Sequence, residues 1–421
     1  MHNYIINFSE YKLSNGLHII LHQDKTNPIV YISVLYHVGS KDERPGKYGF
    51  AHFFEHLMFE ETKYINKGEY FKYIASNGGY NNAYTSQDET YYYDILPSNK
   101  LPLALWLESE RMLHLKIDEP SINIQREVVK EERKMHIDNM PYAKAISEII
   151  PSLLFKKHPY KNPIIGFEKD LNSATLYDFK KFYNTYYVPN NAILLIAGDF
   201  NIEETKDLIN KYFSIIPSGK SKIYKVQIQE KSINKEIFFT CIDNNIQVPG
   251  VFFSYRLPEI NNEDIFILKV IENILCSGES SRIVKNIVNK KQTASYAGSY
   301  IETMEHYGIF TIYGLINRGI ILDELSNTID NEIEIFQDQL ITEEELNKQK
   351  NYFESKFFSD NSFLEGIGSN LSHYSLYYKN INLINTYIEK YKNISFEDIK
   401  RVSNKYLNKN NRVRLYNITS N

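Results

Sequence analysis

The sequence predicts an α+β protein of two tandem homologous α/β-roll domains, each a mixed β-sheet covered by helices. Its 421 residues exceed what one hydrophobic core usually organises. Stretches with strand and helix periodicity are interspersed along the chain, which favours mixed sheets packed against helices. Part of the sequence also repeats at an offset of 220 residues, which indicates a duplicated domain.

The repeat is clearest near the end of each half. Residues 174–191 align without gaps on residues 394–411 and share six identities. In both copies a Ser or Thr precedes an amphipathic helix, as an N-cap would, and an Asn-Asn turn leads into an apolar strand. The same offset pairs the apolar run at residues 31–36 with residues 251–256. We therefore predict a domain over residues 1–216 and a homologous one over residues 228–421.

The linker between these domains is predicted at residues 216–227, where a Pro-Ser-Gly segment interrupts the apolar pattern. In the first half, short apolar runs are typical of strands, and longer runs with apolar residues three and four apart are typical of helices. The predicted order is strands over 10–23 and 30–39, helices over 49–59 and 67–77, strands over 81–86 and 89–95, and helices over 101–115 and 121–139.

Composition narrows the class of protein. The formal net charge of −4 gives no indication of nucleic-acid binding. No run approaches the roughly 18 apolar residues of a membrane helix. Cys241 and Cys276 are too few for a disulfide framework. Residues 1–10 lack the pattern of a signal peptide, so we expect a reduced, cytoplasmic protein, with a periplasmic location as the alternative.

The most informative motif is His-Phe-Phe-Glu-His at residues 52–56, which lies in a predicted helix. Helical residues four apart lie on the same face, so His52 and His56 could share one metal ion. Glu55 lies close enough to act on a water at that metal. The order H-x-x-E-H is the reverse of the commoner H-E-x-x-H zinc peptidase motif. The alternative is a helix whose histidines only cap or pack.

Residues 49–60 resemble the metal-binding helix of the pitrilysin/insulinase-type zinc metallopeptidases, which include mitochondrial processing peptidase. The resemblance extends over nearly the whole chain, through residues 78–91, 158–166, 188–199 and 278–282. It implies a zinc endopeptidase with one Zn²⁺ per chain, which cleaves peptides or unfolded polypeptide segments.

The resemblance also implies the third metal ligand. In this family it is a glutamate about 76 residues after the second histidine, which corresponds here to Glu132. The neighbouring Glu131 would face about 100° away on a helix, so only one of the two can be the ligand. By resemblance, Glu55 is the general base that takes a proton from a zinc-activated water and returns it to the leaving amine.

The predicted strand beside the motif is the candidate substrate-binding element. Asn82, Ala83 and Tyr84 could receive the substrate backbone as an added strand, a mode that suits extended peptides. From the residues alone, an ordinary sheet strand is an equally open interpretation.

The sequence departs from the family in its second half. Family enzymes usually carry an Arg and a Tyr seven residues apart, and those positions are Val288 and Ser295 here. Tyr296 is one place late, and its partner position would be Asn289. Gln125 also stands where the family commonly has a glutamate. We therefore expect the chain to be the zinc-bearing subunit of a heterodimer whose related subunit supplies the missing pair, with a homodimer as the alternative.

A rival hypothesis is a non-catalytic structural or assembly subunit of the same fold. The 220-residue offset puts Glu272 and Cys276 at the positions of His52 and His56, so the second half lacks the motif. Non-catalytic relatives have usually lost the zinc residues altogether. The first half keeps all of them, which favours the enzyme.

Overall fold

The computed structural model of the chain describes residues 5–221, 223, 225–339 and 341–420. The chain forms two compact units, each built from three stretches of sequence. The first unit comprises the residues up to Arg133, Asn162–Gln227 and Phe358–Asn385. The second comprises Lys134–Lys161, Ile228–Phe357 and the residues from Thr386 onward.

The sheet of the first unit has six strands: β1 Ser9–Lys12, β2 His18–Gln23, β3 Ile29–Tyr36, β4 Tyr80–Thr85, β5 Thr90–Pro97 and β6 Ala192–Gly198. Their spatial order is β1-β2-β6-β3-β5-β4. Strands β2 and β6 pair in parallel and the other neighbours pair antiparallel, so the sheet is mixed.

The sheet of the second unit has five strands: β7 Ile237–Ile242, β8 Gly250–Leu257, β9 Ala294–Thr303, β10 Gly308–Ile316 and β11 Arg412–Ile418. Their order is β7-β11-β8-β10-β9, with β7 and β11 parallel. This repeats the order β2-β6-β3-β5-β4 of the first sheet. The predicted fold class, two tandem mixed-sheet domains with helices, is confirmed.

The register corrects one detail of the predicted duplication. Tyr36 lies opposite Ala192, and Tyr255 lies opposite Arg412, which follows Ala192 by the 220-residue offset. Tyr36 therefore corresponds to Tyr255 and not to Arg256. A slip of one residue would turn every side chain of the strand to the other face, so burial selects this register.

Helices surround both sheets. They are α1 Phe50–Leu57, α2 Glu69–Ser76, α3 Leu101–His114, α4 Glu119–Arg133, α5 Ile150–Leu154, α6 Glu168–Ser173, α7 Leu176–Tyr186, α8 Ile202–Phe213, α9 Asp264–Leu275, α10 Leu322–Asp338, α11 Glu343–Asp360, α12 Leu364–His373, α13 Leu383–Lys392 and α14 Phe396–Tyr406. The duplicated pair α7 and α14 both begin with capping boxes, at Thr175 and Ser395, as predicted. Within the described residues, no helix is long and apolar enough to cross a membrane.

Most predicted elements of the first half are present, with two differences. The single strand predicted over residues 10–23 is a hairpin of β1 and β2, because Gly16 adopts a φ of +92° and reverses the chain. The helix predicted over residues 121–139 is α4 followed by a π-helical turn at Lys134–Asp138. The compact units exchange segments between the two halves, so the division into residues 1–216 and 228–421 stays a prediction about the duplicated sequence.

Side chains of the first sheet alternate between two covered faces. One face carries Tyr36 and Tyr92, whose rings contact each other at 5.9 Å on the side of α1 and α3. The opposite face carries Tyr31, against which α12 packs. Gly368 of α12 approaches so closely that a Cβ there would lie 2.4 Å from the Tyr31 ring. Helix α12 therefore lies directly on the sheet.

Candidate functional site

Helix α1 carries the H-x-x-E-H motif, and its first turn is held from outside the helix. Gly49 precedes it with a φ of +96°, and a Cβ there would lie 2.6 Å from the carbonyl oxygen of Ile165. The buried Glu43 carboxylate accepts hydrogen bonds from the backbone N–H groups of Gly49 and Ala51, both at 2.8 Å. These donors would otherwise be unsatisfied. Burial raises the pKa of the Glu43 carboxyl well above its usual value, and the two backbone hydrogen bonds oppose that shift. The start of the motif helix is thereby fixed.

The two histidines of the motif lie on the same face of α1. Their ring centroids are 5.0 Å apart with the planes at 75°. Nε2 of His52 is 3.4 Å from Oε1 of Glu132, and Nε2 of His56 is 3.1 Å from Oε2 of the same carboxylate. One ligand atom from each of the three residues lies within 4.8 Å of the others, the only such group found among the described residues.

Glu132 reaches the histidines from α4. Arg126 and Arg133 anchor this helix through hydrogen bonds to the carbonyl oxygens of Leu171 and Gly166, at 2.9 and 2.7 Å. Burial raises the pKa of the Glu132 carboxyl, but the two imidazoles lower it more, so its pKa lies well below the usual value. The neighbouring Glu131 is exposed, whereas Glu132 is half-buried. The geometry therefore favours Glu132 over Glu131 as the third donor.

These donors fit a zinc ion. Two imidazole nitrogens and one carboxylate oxygen form a donor set found in catalytic zinc sites, where a fourth position stays open for water or substrate. Oε2 of Glu132 is buried and makes no hydrogen bond of good geometry, although Nε2 of His56 is near. A buried carboxylate oxygen without such a partner is uncommon unless a ligand or ion satisfies it.

Glu55 is held by a residue that the sequence analysis did not single out. The hydroxyl of Thr85 donates a hydrogen bond to Oε2 of Glu55 at 2.6 Å. Thr85 is the last residue of β4 and pairs with Thr90 of β5. The available signal was strand alternation, because Ala83 and Thr85 must face the same side of the predicted strand.

The predicted substrate-binding residues lie on β4, which is an edge strand of the sheet. Asn82 and Tyr84 are exposed and Ala83 is half-buried. The side-chain oxygen of Asn82 accepts a hydrogen bond from the backbone N–H of Ala83 at 2.9 Å, and Tyr84 donates its hydroxyl hydrogen to Glu89 at 2.8 Å. An edge strand leaves one row of backbone groups unpaired, which is the surface that strand addition requires.

Gln125, which stands where the family commonly has a glutamate, contacts a residue in the segment that follows α1. Its amide donates a hydrogen bond to Oε1 of Glu60 at 2.7 Å, and Lys67 lies 3.0 Å from Oε2 of Glu60. This buried amide thus holds the segment that follows α1 to α4.

The second unit brings together the positions that depart from the family pattern. Val288, Asn289, Ser295 and Tyr296 line one cavity of about 340 Å³ together with Cys276. The Tyr296 ring is exposed and lies 6.0 Å from that of Tyr313. Val288 and Asn289, the two candidate positions for the arginine of the family's Arg/Tyr pair, therefore carry an apolar and an amide side chain instead of a cationic guanidinium.

Comparisons with known proteins agree with this architecture. A family model described as insulinase (peptidase family M16) matches residues 18–168, and one described as the peptidase M16 inactive domain matches residues 173–353. The chain is 29% identical to zinc protease PqqE of Helicobacter pylori over 96% of its length and 91% of that protein.

Solved structures show the same fold. The crystal structure of a protease from Helicobacter pylori superposes with a TM-score of 0.93 at 28% identity, covering 98% of this chain and all of that one. The first half of the periplasmic protease PqqL from Escherichia coli has a TM-score of 0.80 at 21% identity, covering 98% of this chain and 92% of that one. The two family models, which match one after the other between residues 18 and 353, show that the chain belongs to the M16 (insulinase) family of peptidases.

Proposed function

We propose that the chain is a zinc-dependent endopeptidase that hydrolyses peptides or unfolded polypeptide segments. The observation that carries the proposal is the group of His52, His56 and Glu132, whose ligand atoms lie within 4.8 Å of one another, with Glu55 next to His56 in helix α1. The name of the Helicobacter pylori relative, a zinc protease, supports the same chemistry. We propose one Zn²⁺ per chain with these three residues as ligands.

The zinc ion and the protein side chains would have separate roles in the reaction. Zinc, when bound, would lower the pKa of a water and polarise the carbonyl of the scissile peptide. Glu55 would accept the proton of the attacking water on Oε1, because the Thr85 hydroxyl already occupies Oε2. It would then deliver that proton to the nitrogen of the leaving amine. The short hydrogen bond from Thr85 holds the carboxylate in one orientation through both transfers.

The edge strand β4 would bind the substrate. A peptide added as a strand beside Asn82, Ala83 and Tyr84 would pair through its backbone, so its recognition would depend little on sequence. A folded substrate cannot present such an extended strand. This mode therefore predicts a preference for peptides and unfolded segments.

A partner subunit is the second part of the proposal. Val288 carries no charge, and the short hydroxymethyl side chain of Ser295 lacks the ring that extends the hydroxyl in the tyrosine of the family's Arg/Tyr pair. We propose a heterodimer with a related subunit that supplies both, and a homodimer as the alternative.

A second candidate function is that of a non-catalytic structural or assembly subunit. The observations that favour it are the missing Arg/Tyr pair and the family model that matches residues 173–353, which is described as an inactive domain. The two candidates differ in whether zinc and Glu55 matter for any activity. For location, we propose the cytoplasm with the periplasm as the alternative, and cell fractionation would distinguish them.

The test is cleavage of an internally quenched, unstructured peptide by the zinc-loaded chain, alone and mixed with the related subunit of the same organism. The matched pair of variants is Glu55→Gln and Glu61→Gln, the latter on a half-buried glutamate that pairs with Lys116 just after α1. We expect E61Q to cleave like the wild type and E55Q to lose activity. Equal cleavage by E55Q, or no cleavage by the wild type in either preparation, would refute the enzyme proposal.

A further inference from the structure

Strand β4 is held on both faces, by different groups. Thr85 contacts Glu55 on the face of α1. Tyr84, the preceding residue, points to the opposite face, where its hydroxyl lies 2.8 Å from Oε1 of Glu89 and 2.9 Å from Nε2 of His373. His373 and Glu89 are themselves 2.7 Å apart through the same atoms.

His373 is supplied by a distant part of the sequence. It ends helix α12 and lies 284 residues after Glu89, yet both belong to the same compact unit. Its Nδ1 contacts the Ser369 hydroxyl at 3.1 Å, and its ring stacks on that of Tyr91 at 5.6 Å. The close approach at Gly368 sets how far α12 lies from the sheet. The imidazole is thus fixed by both its helix and its ring contacts.

His373 and Glu89 form an acid–base pair in which the glutamate is buried. The Glu89 side chain is 4% exposed. Burial lowers the pKa of His373, but the Glu89 carboxylate raises it more; burial raises the pKa of Glu89, but His373 and the surrounding hydroxyls lower it more. The hydroxyls around Glu89 come from Tyr84 and Tyr377. Hydrogen bonds between ionised groups are stronger than neutral ones, and removal of one buried partner leaves the other unpaired.

We propose that His373 and Glu89 are positioning residues that anchor Tyr84 and so hold β4 in the place where it receives the substrate backbone. The inference rests on the proposed function, because it assigns β4 to peptide binding. A peptide that pairs with β4 must find its edge already in register with Thr85 and Glu55. Loss of the anchor on one face would loosen this strand without touching the three candidate zinc ligands.

A merely structural ion pair would lower global stability and leave substrate binding unchanged. The anchor makes a different prediction. Loosening of β4 weakens peptide binding, so KM rises; the hydrogen bond from Thr85 to Glu55 on the other face is not part of the anchor, so kcat per bound peptide and zinc content stay close to wild type. The hydrogen bonds of this network involve charged partners, for which the loss corresponds to about a tenfold increase in KM.

The experiment compares His373→Phe and Tyr84→Phe with a control, Asn370→Ala. H373F keeps a ring to stack on Tyr91 but loses the charged contact with Glu89, and Y84F loses only the hydroxyl. Asn370 lies on the same helix and bonds to Asn361 instead of β4. We also expect His373→Gln, whose amide can still donate to Glu89, to restore most of the wild-type KM.

Two measurements decide the outcome. Hydrogen exchange of the free protein should show faster exchange over residues 80–85 in H373F and Y84F but not in N370A, and peptide kinetics should show the raised KM. Unchanged exchange in H373F overturns the anchor, and faster exchange with unchanged KM overturns its role in binding. A wild-type protein that cleaves no peptide even with its related subunit present refutes the proposed function and this substrate role together, whereas the exchange data separately report whether the anchor exists.

Discussion

The hydrogen bond from Thr85 to Glu55 gives the sharpest prediction about activity. Thr85→Val replaces the hydroxyl with a methyl group of nearly the same shape, so packing at the end of β4 is kept. The Glu55 carboxylate then loses its 2.6 Å donor and is free to rotate away from the water. We expect kcat to fall and KM to stay the same, because the backbone of β4 is unchanged.

The magnitude follows from the charge on the acceptor. A hydrogen bond to a charged group contributes about 1.5–3 kcal/mol, and about 1.4 kcal/mol corresponds to a tenfold change in rate. Glu55 is half-buried, so water can replace part of the lost bond. We therefore expect a loss of about 1.5 kcal/mol, the lower end of that range, which corresponds to about a tenfold decrease in kcat.

Stopped-flow or steady-state cleavage of a quenched peptide measures this effect, with zinc content determined on the same sample. Thr85→Ser keeps the hydroxyl and is expected to cleave within about twofold of wild type, since the donor remains. If T85V kept full kcat with its zinc intact, Thr85 would not orient the base, and the role given to this contact would be wrong.

Three further predictions concern zinc and stability. Metal analysis should show that Glu132→Gln loses stoichiometric zinc, while its circular dichroism spectrum stays that of the wild type. Glu131→Gln should keep both the zinc and the spectrum. Stoichiometric zinc in E132Q would exclude Glu132 as a ligand. Gly49→Ala should lower the melting temperature far more than Gly46→Ala, because both have positive φ but only the Cβ at residue 49 meets backbone; equal shifts would contradict this. Asp264 has a pKa lowered, against its burial, by hydrogen bonds from Lys405, Arg401 and Tyr406. The Asp264 carboxylate therefore stabilises the fold at pH values above its pKa in the unfolded chain, which is about 4. This stabilisation is lost as the pH falls through the lower pKa that Asp264 has in the folded protein. The urea concentration at the unfolding midpoint should therefore decrease more steeply below about pH 4 for wild type than for Asp264→Asn. Equal decreases in the two proteins would refute this role of Asp264.

Local pattern predicted much of the fold. The capping boxes at Thr175 and Ser395 and the helix of residues 50–57 depend on spacings of three and four residues, which are visible in the sequence. The hairpin of β1 and β2 was predicted as a single strand, although the Asn15-Gly16 pair between the polar β1 and the apolar β2 is a turn signal in the sequence, and Gly16 adopts the positive φ that such a turn requires. Turn chemistry at this Asn-Gly pair, and not the strand pattern around it, decides the local structure.

Long-range contacts were not predictable in the same way. Glu132 was found through a family spacing, since nothing in α4 distinguishes it from its acidic neighbours. Glu43, Thr85 and His373 were missed because each acts on a residue that is distant in sequence or in a different element. The return of α12 to the first unit, on which the contact of His373 depends, has no local signature.

The central claim is that one zinc ion, held by His52, His56 and Glu132, serves a reaction for which Glu55 is the base. Zinc stoichiometry and peptide cleavage should be measured on the same preparations of wild type and E55Q, each with its related subunit present. The account predicts one zinc per chain in both proteins and cleavage in the wild type alone. A wild-type chain that binds no zinc, or an E55Q variant that cleaves as fast as wild type, would contradict it.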